Sequence, residues 1–308
     1  MTMLRFGKYS VSFDKEDKVF YPAHDGDDAV TKGDVIRYYK DIAEAMLPHV
    51  RGRPLTLRRF PDGIESQGFY MQEAQDYFPE WVERVSATRS DGSTIRHAVA
   101  RRAADLAYLA SLGTLEIHTW LSGEDDLRKP DWLVFDLDPP GHDADAFDVV
   151  RHGALDVRDL LDELGLAAFV KLTGSKGLHV VAPIAPGEDF DDVRAFARDA
   201  ARLLASRKPD DYTTEQRKDK RKGRLYLDMM RNAYGQHAVA PYSLRPLPGA
   251  PVAAPLDWDE VEDSALTPRA VTIRTVFRRL GQKDDPWKTM ARRRRSLKKA
   301  RRRLEAKL

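Results

Sequence analysis

Asp136 and Asp138 stand two residues apart in Asp131-Trp-Leu-Val-Phe-Asp-Leu-Asp-Pro-Pro140. On a strand that spacing puts both carboxylates on one face, because side chains alternate with period two. Leu133, Phe135 and Leu137 then face a core on the other side. Pro139 has no N–H to give to a ladder, so the strand should stop there and present both acids at its end. Neighbouring carboxylates repel and are costly to desolvate unless a cation joins them, and a divalent metal is the natural occupant. The plainer reading is an ordinary strand end with solvated acids. Leu225-Tyr-Leu-Asp-Met repeats the design, with Asp228 and Tyr226 on one face and Leu225, Leu227 and Met229 on the other. If the two strands are neighbours, Asp136, Asp138 and Asp228 form a set of hard oxygen donors suited to Mg2+ or Mn2+. Two such ions can clamp the attacking and leaving oxygens of a phosphoryl transfer.

Groups suited to anions lie elsewhere in the chain. Thr173-Gly-Ser-Lys-Gly177 links two apolar runs, reads as a hairpin turn, and offers backbone N–H groups, hydroxyls and the Lys176 charge to a triphosphate. It is not a Walker loop, since no G-x-x-x-x-G-K-[ST] pattern occurs, and a merely polar hairpin tip has the same composition. His179 follows on the return strand, where one buried histidine is as often structural as functional. Arg245 sits between Pro241 and Pro246, a stiff mount for a phosphate-binding guanidinium.

The elements that must position these groups follow from periodicity. Apolar residues at helical spacing predict a helix from Thr31 to Leu47, ended by Pro48. Strands are predicted over 55–60, 114–121 and 225–230, helices over 101–112, 146–164, 190–204 and 271–280, and a hairpin over 168–184. The stretch 241–255 is proline-rich and expected to be extended. Helices mixed with hairpins predict an α+β fold with mixed or antiparallel sheets rather than a doubly wound parallel sheet.

The 308 residues include no cysteine, which removes disulfides, thiolate metal sites and a cysteine nucleophile. No apolar run reaches 18 residues and residues 1–10 lack a signal-like stretch, so a cytoplasmic, nucleoid-associated protein without membrane contact is expected. The net charge of +2 hides an asymmetry: residues 288–308 hold 11 Lys or Arg against Glu305, leaving 40 basic and 48 acidic groups in the rest. Within this tail Leu297 and Leu304, seven apart, can form one thin helical stripe. It reads either as a frayed solvated helix or as a salt-sensitive contact to a nucleic-acid backbone.

The motifs resemble, in order, the polymerase domain of bacterial ligase D, a primase-polymerase of the archaeo-eukaryotic primase superfamily. Phe135-Asp-Leu-Asp-Pro139, Thr173-Gly-Ser-Lys-Gly-Leu-His179, and Leu227-Asp228 followed by Asn232 and Ala238-Val-Ala-Pro-Tyr-Ser-Leu-Arg245 match its three signature regions. Lys18-Val-Phe-Tyr-Pro22, Thr31-Lys-Gly-Asp34, Arg59-Phe-Pro-Asp-Gly63, Phe69-Tyr70 and Leu115-Glu-Ile-His118 extend the resemblance over nearly the whole chain before the tail. It implies a primase-like α+β core over 1–287, made of two intimately packed α/β subdomains, with 288–308 a basic helical tail. It implies that Asp136, Asp138 and Asp228 hold Mn2+ or Mg2+ in a two-metal site. Thr173, Lys176, His179, His118 and Arg245 would bind the nucleoside triphosphate, with Phe60 close to the base. Lys18 and Lys32 would contact the 5′-phosphate of a broken DNA end, and Phe69 and Tyr70 the template, where stacking tolerates any base.

The implied activity is template-dependent addition of NTP or dNTP, with ribonucleotides favoured, to primer 3′ ends at gaps, overhangs or double-strand breaks. Non-homologous end joining or gap repair is the setting, with a Ku-like end-binding protein and a separate ATP-dependent DNA ligase as partners. No Lys-x-Asp-Gly, the motif of a ligase's adenylated lysine, occurs, so a stand-alone polymerase unit is expected. Two departures stand out. Met229-Met230-Arg231-Asn232 replaces the family's aromatic, small or aliphatic residue and Gln-Asn, which alters a triphosphate contact. Met71-Gln72 replaces a lysine after the aromatic pair, which alters affinity for DNA ends. Two other readings compete: an inactive primase-like module that docks DNA ends, and a haloacid-dehalogenase-like phosphatase, whose strand also ends in Asp-x-Asp. The latter usually has Thr or Val where Pro140 stands.

Overall fold

The computed structural model describes residues 1–89, 91–141 and 146–308. The chain opens with β1 (Thr2–Phe6), β2 (Tyr9–Phe13), β3 (Val19–Tyr21), β4 (Val30–Thr31), α1 (Lys32–Asp41) and α2 (Ala43–Val50). Then come β5 (Leu55–Arg59), β6 (Phe69–Met71), β7 (Arg84–Thr88), β8 (Thr94–Ala98), α3 (Ala103–Ser111) and β9 (Thr114–Trp120). Next are β10 (Trp132–Asp138), α4 (Ala146–Glu163), β11 (Phe169–Leu172), β12 (Leu178–Pro183), α5 (Phe190–Arg207), β13 (Tyr212–Thr213) and β14 (Leu225–Asp228). The last elements are β15 (His237–Val239), β16 (Pro255–Leu256), α6 (Trp258–Glu262), α7 (Val276–Gln282) and α8 (Leu297–Glu305). The chain divides into two discontinuous units: Met1–Trp120, His237–Ala253 and Val271–Lys283 form the first, and Leu121–Gln236, Ala254–Ala270 and Asp284–Leu308 the second. No helix among the described residues is long and apolar enough to cross a membrane.

Unit 2 is built on a six-stranded sheet ordered β13-β14-β10-β12-β11-β16. Only β13 and β14 pair in parallel. That is the mixed, largely antiparallel sheet the hairpins predicted. In the middle, β10 is buried at every position except Asp138. Leu133, Phe135 and Leu137 are each no more than 1% exposed, and such burial stabilises by about 1.5–3 kcal/mol per side chain. Helix α4 packs on the side of Leu225 and can do so because residue 153 is glycine: a Cβ there would stand 2.3 Å from Leu225 Cδ2. The acids thus occupy the opposite face. The basic tail belongs to this unit, since Leu297, Ala300 and Leu304 are buried and α8 packs beside α5. Arg294 reaches Asp131 at 2.5 Å and Arg301 reaches Glu188 at 2.5 Å, so part of the tail's charge is spent on neighbouring acids.

Asn232 carries the sheet past the end of β14. Its Oδ1 accepts from Val134 N–H at 2.9 Å, and its Nδ2 donates to the carbonyls of Val134 at 2.7 Å and Met229 at 2.9 Å. The side-chain amide replaces the ladder where the backbone turns away. Asn232 is fully buried, so Asn232→Ala, which orphans a buried donor and acceptor on β10, should cost about 2–3 kcal/mol in urea unfolding. A loss below about 0.5 kcal/mol would contradict that account.

Unit 1 holds the four-stranded sheet β15-β9-β5-β6 and three two-stranded ribbons. Helix α1 starts at a capping box in which Thr31 Oγ1 accepts from Asp34 N–H and Asp34 accepts from Thr31 N–H. The predicted single helix is in fact two, separated at Ile42, and Pro48 lies inside α2 instead of ending it. Proline gives up its own N–H but leaves the surrounding bonds intact, and Arg51 N–H still reaches Leu47 C=O at 2.9 Å. Two further expectations are corrected. Residues 241–255 double back, with Leu244 bridged to Val252 and Tyr242 and Ala250 at positive φ, and of the predicted 271–280 helix only 276–280 is helical, within a helix that runs on to Gln282. Val252 N–H is bonded to Val271 C=O, which holds the start of that segment in an extended contact.

Candidate active site

In unit 2 the pairing register sets four polar groups in one row across the sheet. Asp136 of β10 stands opposite Asp228 of β14 on one side and opposite His179 of β12 on the other, and His179 stands opposite Lys171 of β11. Asp138 lies one step along the same face as Asp136, opposite Tyr226. His179 Nε2 is 3.2 Å from Asp136 Oδ1, and Arg231 Nε is 3.1 Å from Asp136 Oδ2. Burial pushes the Asp136 carboxyl up, but the His179 and Arg231 contacts outweigh it and hold the group ionised, well below the usual carboxylate range. Burial beside Lys171 pushes His179 down to about 4, so near neutrality its ring is an uncharged donor to Asp136. The His179 ring thus braces the Asp136 carboxylate from the neighbouring strand.

Asp138 is exposed at the strand end, yet the groups crowded around its carboxyl desolvate it and, with the Asp136 charge, push it up to about 6, while Arg231 and Lys176 oppose the rise. Asp228 is raised by burial and by Asp136, although Met230 N–H donates to its Oδ1 at 2.7 Å. Three acids with this mutual strain fit a hard divalent cation, whose charge would relieve it. In this structure Arg231 supplies the positive charge among them. Among the described residues, the Asp136, Asp138 and Asp228 carboxylates do not close together to within 4.8 Å of one another; the one group of three or more His, Asp or Glu whose ligand atoms all do so is Asp257, Asp259 and Glu260. Those belong to the capping turn of α6, where Glu260 accepts from Asp257 N–H and Asp259 accepts from Glu260 N–H, so their oxygens already serve the backbone.

The Thr173–Gly177 turn abuts the end of β10. A Cβ at Gly177 would stand 2.0 Å from Leu137 C=O and 3.1 Å from Asp138 Oδ1, which requires glycine. Gly174 takes φ +67°. The Thr173 hydroxyl donates to Gly177 C=O at 3.0 Å and accepts from Gly177 N–H at 3.2 Å, so it locks the turn, while Lys176 is exposed.

The remaining predicted residues lie in unit 1. Glu116, only 1% exposed, is their hub: His118 Nε2 is 2.5 Å away, Arg58 Nη1 3.4 Å and Arg245 Nε 3.5 Å. Burial raises its carboxyl, but His118 and then Arg245 prevail and bring it down to about 2. Arg58 also lies over the rings of Phe60 and Tyr70, at 5.1 and 5.4 Å. Phe60 is buried, with Gly68 against its ring, whereas Phe69 and Tyr70 are 47% and 55% exposed. His237 joins this face, 4.7 Å from His118 and 6.2 Å from Tyr70 between ring centroids. Lys18 pairs with Asp62, and Lys32 Nζ donates to Asp14 C=O at 3.1 Å. Burial lowers Lys32, and the nearby Lys18 and Lys15 add to the fall against the opposing pull of Asp14.

Reading motifs alone passed over Glu116, Lys171 and Arg231 as site groups. Glu116 was legible in principle, two residues before His118 on a strand and hence on its face. Lys171 was visible as a charge inside an otherwise apolar strand. The contact of Arg231 with Asp136 had no local signal.

Fold and site together define an α+β protein of the primase-like class. A family model described as LigD, primase-polymerase domain matches residues 31–287, and the chain belongs to that family. Members are DNA/RNA nucleotidyltransferases. The multifunctional non-homologous end joining protein LigD of Mycolicibacterium smegmatis is 35% identical over 272 residues, which cover 87% of this chain and 34% of that protein. The bifunctional LigD of Bacillus subtilis is 33% identical over 83% of this chain and 41% of its own length. The chain therefore spans about a third to two fifths of these relatives. A solved polymerase domain from Mycobacterium tuberculosis Ligase D, in complex with DNA, superposes with a TM-score of 0.83 at 33% identity, covering 92% of this chain and 98% of that one.

Proposed function

We propose that this chain adds nucleotides, ribonucleotides in preference, to primer 3′ ends at DNA gaps or double-strand breaks, in end joining or gap repair. The observation that carries the reading is the direct opposition of Asp136 and Asp228 on neighbouring strands, with Asp138 on the same face. These three would hold Mn2+ or Mg2+, which when bound supplies charge to neutralise the triphosphate and to acidify the attacking hydroxyl. His179 keeps Asp136 in place through its Nε2–H. Lys176, on the glycine turn beside Asp138, offers a cation to phosphate. In unit 1, Glu116 holds Arg245, Arg58 and His118 at fixed positions on one face, a preorganised set for an anionic nucleotide. The exposed Phe69 and Tyr70 suit stacking on template bases. Lys18 and Lys32 suit a 5′-phosphate. A Ku-like protein and a separate ligase complete this picture as partners.

The test is extension of a primer across a gap with Mn2+ and labelled nucleotides. Salt-dependent DNA binding without incorporation under any metal would replace this reading with that of an inactive end-binding module. Affinity for a recessed 5′-phosphate end should exceed that for a 5′-hydroxyl end, and Lys18→Ala with Lys32→Ala should erase a preference of about tenfold, the value of a charge-assisted contact. Equal wild-type affinity for the two ends removes the phosphate role of these lysines.

A further inference from the structure

Helix α5 buries Phe190, Val193, Phe196, Ala197, Ala200 and Leu204 on one side. On another it carries Arg194, Arg198 and Arg202. Residues four apart share a helix face and stand about 6 Å apart along the axis, so the three guanidiniums form a row. They line one groove of about 470 Å3 within unit 2, with Gln216, Met229 and Met230 opposite. Like charges at this spacing destabilise a helix unless something offsets them. The offset is thin: Asp199 alone serves Arg198 at 3.4 Å and Arg202 at 3.6 Å, and those side chains are 50% and 61% exposed. Arg194 Nη2 meets the Met230 sulfur at 3.3 Å and pairs with no carboxylate among the described residues. Asp191 is the one acid in the groove lining. Elsewhere in the unit, Arg158, Arg207 and Arg301 each have a carboxylate within 3.1 Å.

The groove lining includes Met229 and Met230, the two residues that follow Asp228, and Met230 N–H donates to the Asp228 carboxylate. A compact polyanion needs converging cations. A linear row of guanidiniums over a thioether floor fits a chain of phosphates with sugars or bases lying on the apolar side. We propose that the α5 groove is a backbone track for a single nucleic-acid strand, leading to Asp228. The inference deepens the polymerase reading and rests on it.

The experiment measures the affinity of a labelled single-stranded oligonucleotide across a salt series, for wild type and for Arg194→Gln/Arg198→Gln/Arg202→Gln. Loss of three phosphate contacts should lower the slope of log K against log salt by about 2, at roughly 0.7 per contact. Arg207→Gln, on the same helix but paired with Glu163 outside the groove, should keep the wild-type slope. Arg198→Gln and Arg202→Gln alone, both at exposed positions, should each remove about a third of the effect. Mn2+ binding, followed by electron paramagnetic resonance, should be unchanged in all of them. A triple variant with the wild-type slope overturns the track while leaving the polymerase reading intact, as does competition by inorganic triphosphate as strong as by oligonucleotide. Wild-type protein that neither binds nor extends nucleic acid overturns both.

Discussion

Asp136→Asn will extend a primer more than about a hundredfold more slowly than wild type and will bind Mn2+ more weakly. The bound follows from metal sites in general, where even loss of an outer-shell partner costs 10- to 100-fold. Asparagine keeps the size of the side chain but cannot be ionised. Asp136 is the natural centre of the row, with Asp228 opposite, Asp138 on its face, and His179 and Arg231 holding its two oxygens. Folding should survive, since the amide oxygen can still accept from one of the two donors, leaving the NH2 against the other, and circular dichroism will show it. Primer extension and Mn2+ titration at wild-type levels would remove Asp136, and with it the site in unit 2, from the reaction.

Glu116→Ala should lower stability by about 3 kcal/mol and abolish most nucleotide binding. The loss is large because a carboxylate 1% exposed is removed from two guanidiniums and the His118 ring, and deleting one side of a buried ion pair strands the other. The pH dependence has a definite sign. The folded Glu116 carboxyl lies near 2 against an ordinary 4.5, so it contributes stability that is complete above about pH 4.5 and fades as pH falls from there toward 2. Wild-type and Glu116→Ala denaturation midpoints should therefore differ most at neutral pH and converge in acid. A gap that stays constant from pH 7 to pH 3 would mean that packing, rather than charge, is what Glu116 provides.

Local sequence determined the facing of the key groups. Asp136 and Asp138 share a side of β10, and Asp228 lies away from Leu225 and Leu227, because alternation is a property of the extended backbone itself. The order of motifs along the chain was likewise enough to indicate the family and the α+β class. Spacing carries no information about which strands become neighbours. The placement of β14 beside β10, in the register that sets Asp228 against Asp136, joins residues about 90 positions apart and goes with the burial of Leu225 and Leu227, Leu225 against Gly153 of α4. Tertiary structure also decided that Arg231 enters the carboxylate row, that Glu116 gathers cations from Arg58 to Arg245, and that Leu297 and Leu304 anchor the basic tail in unit 2. Those outcomes depend on burial and on electrostatic partners brought in from distant segments, which no local window of residues specifies.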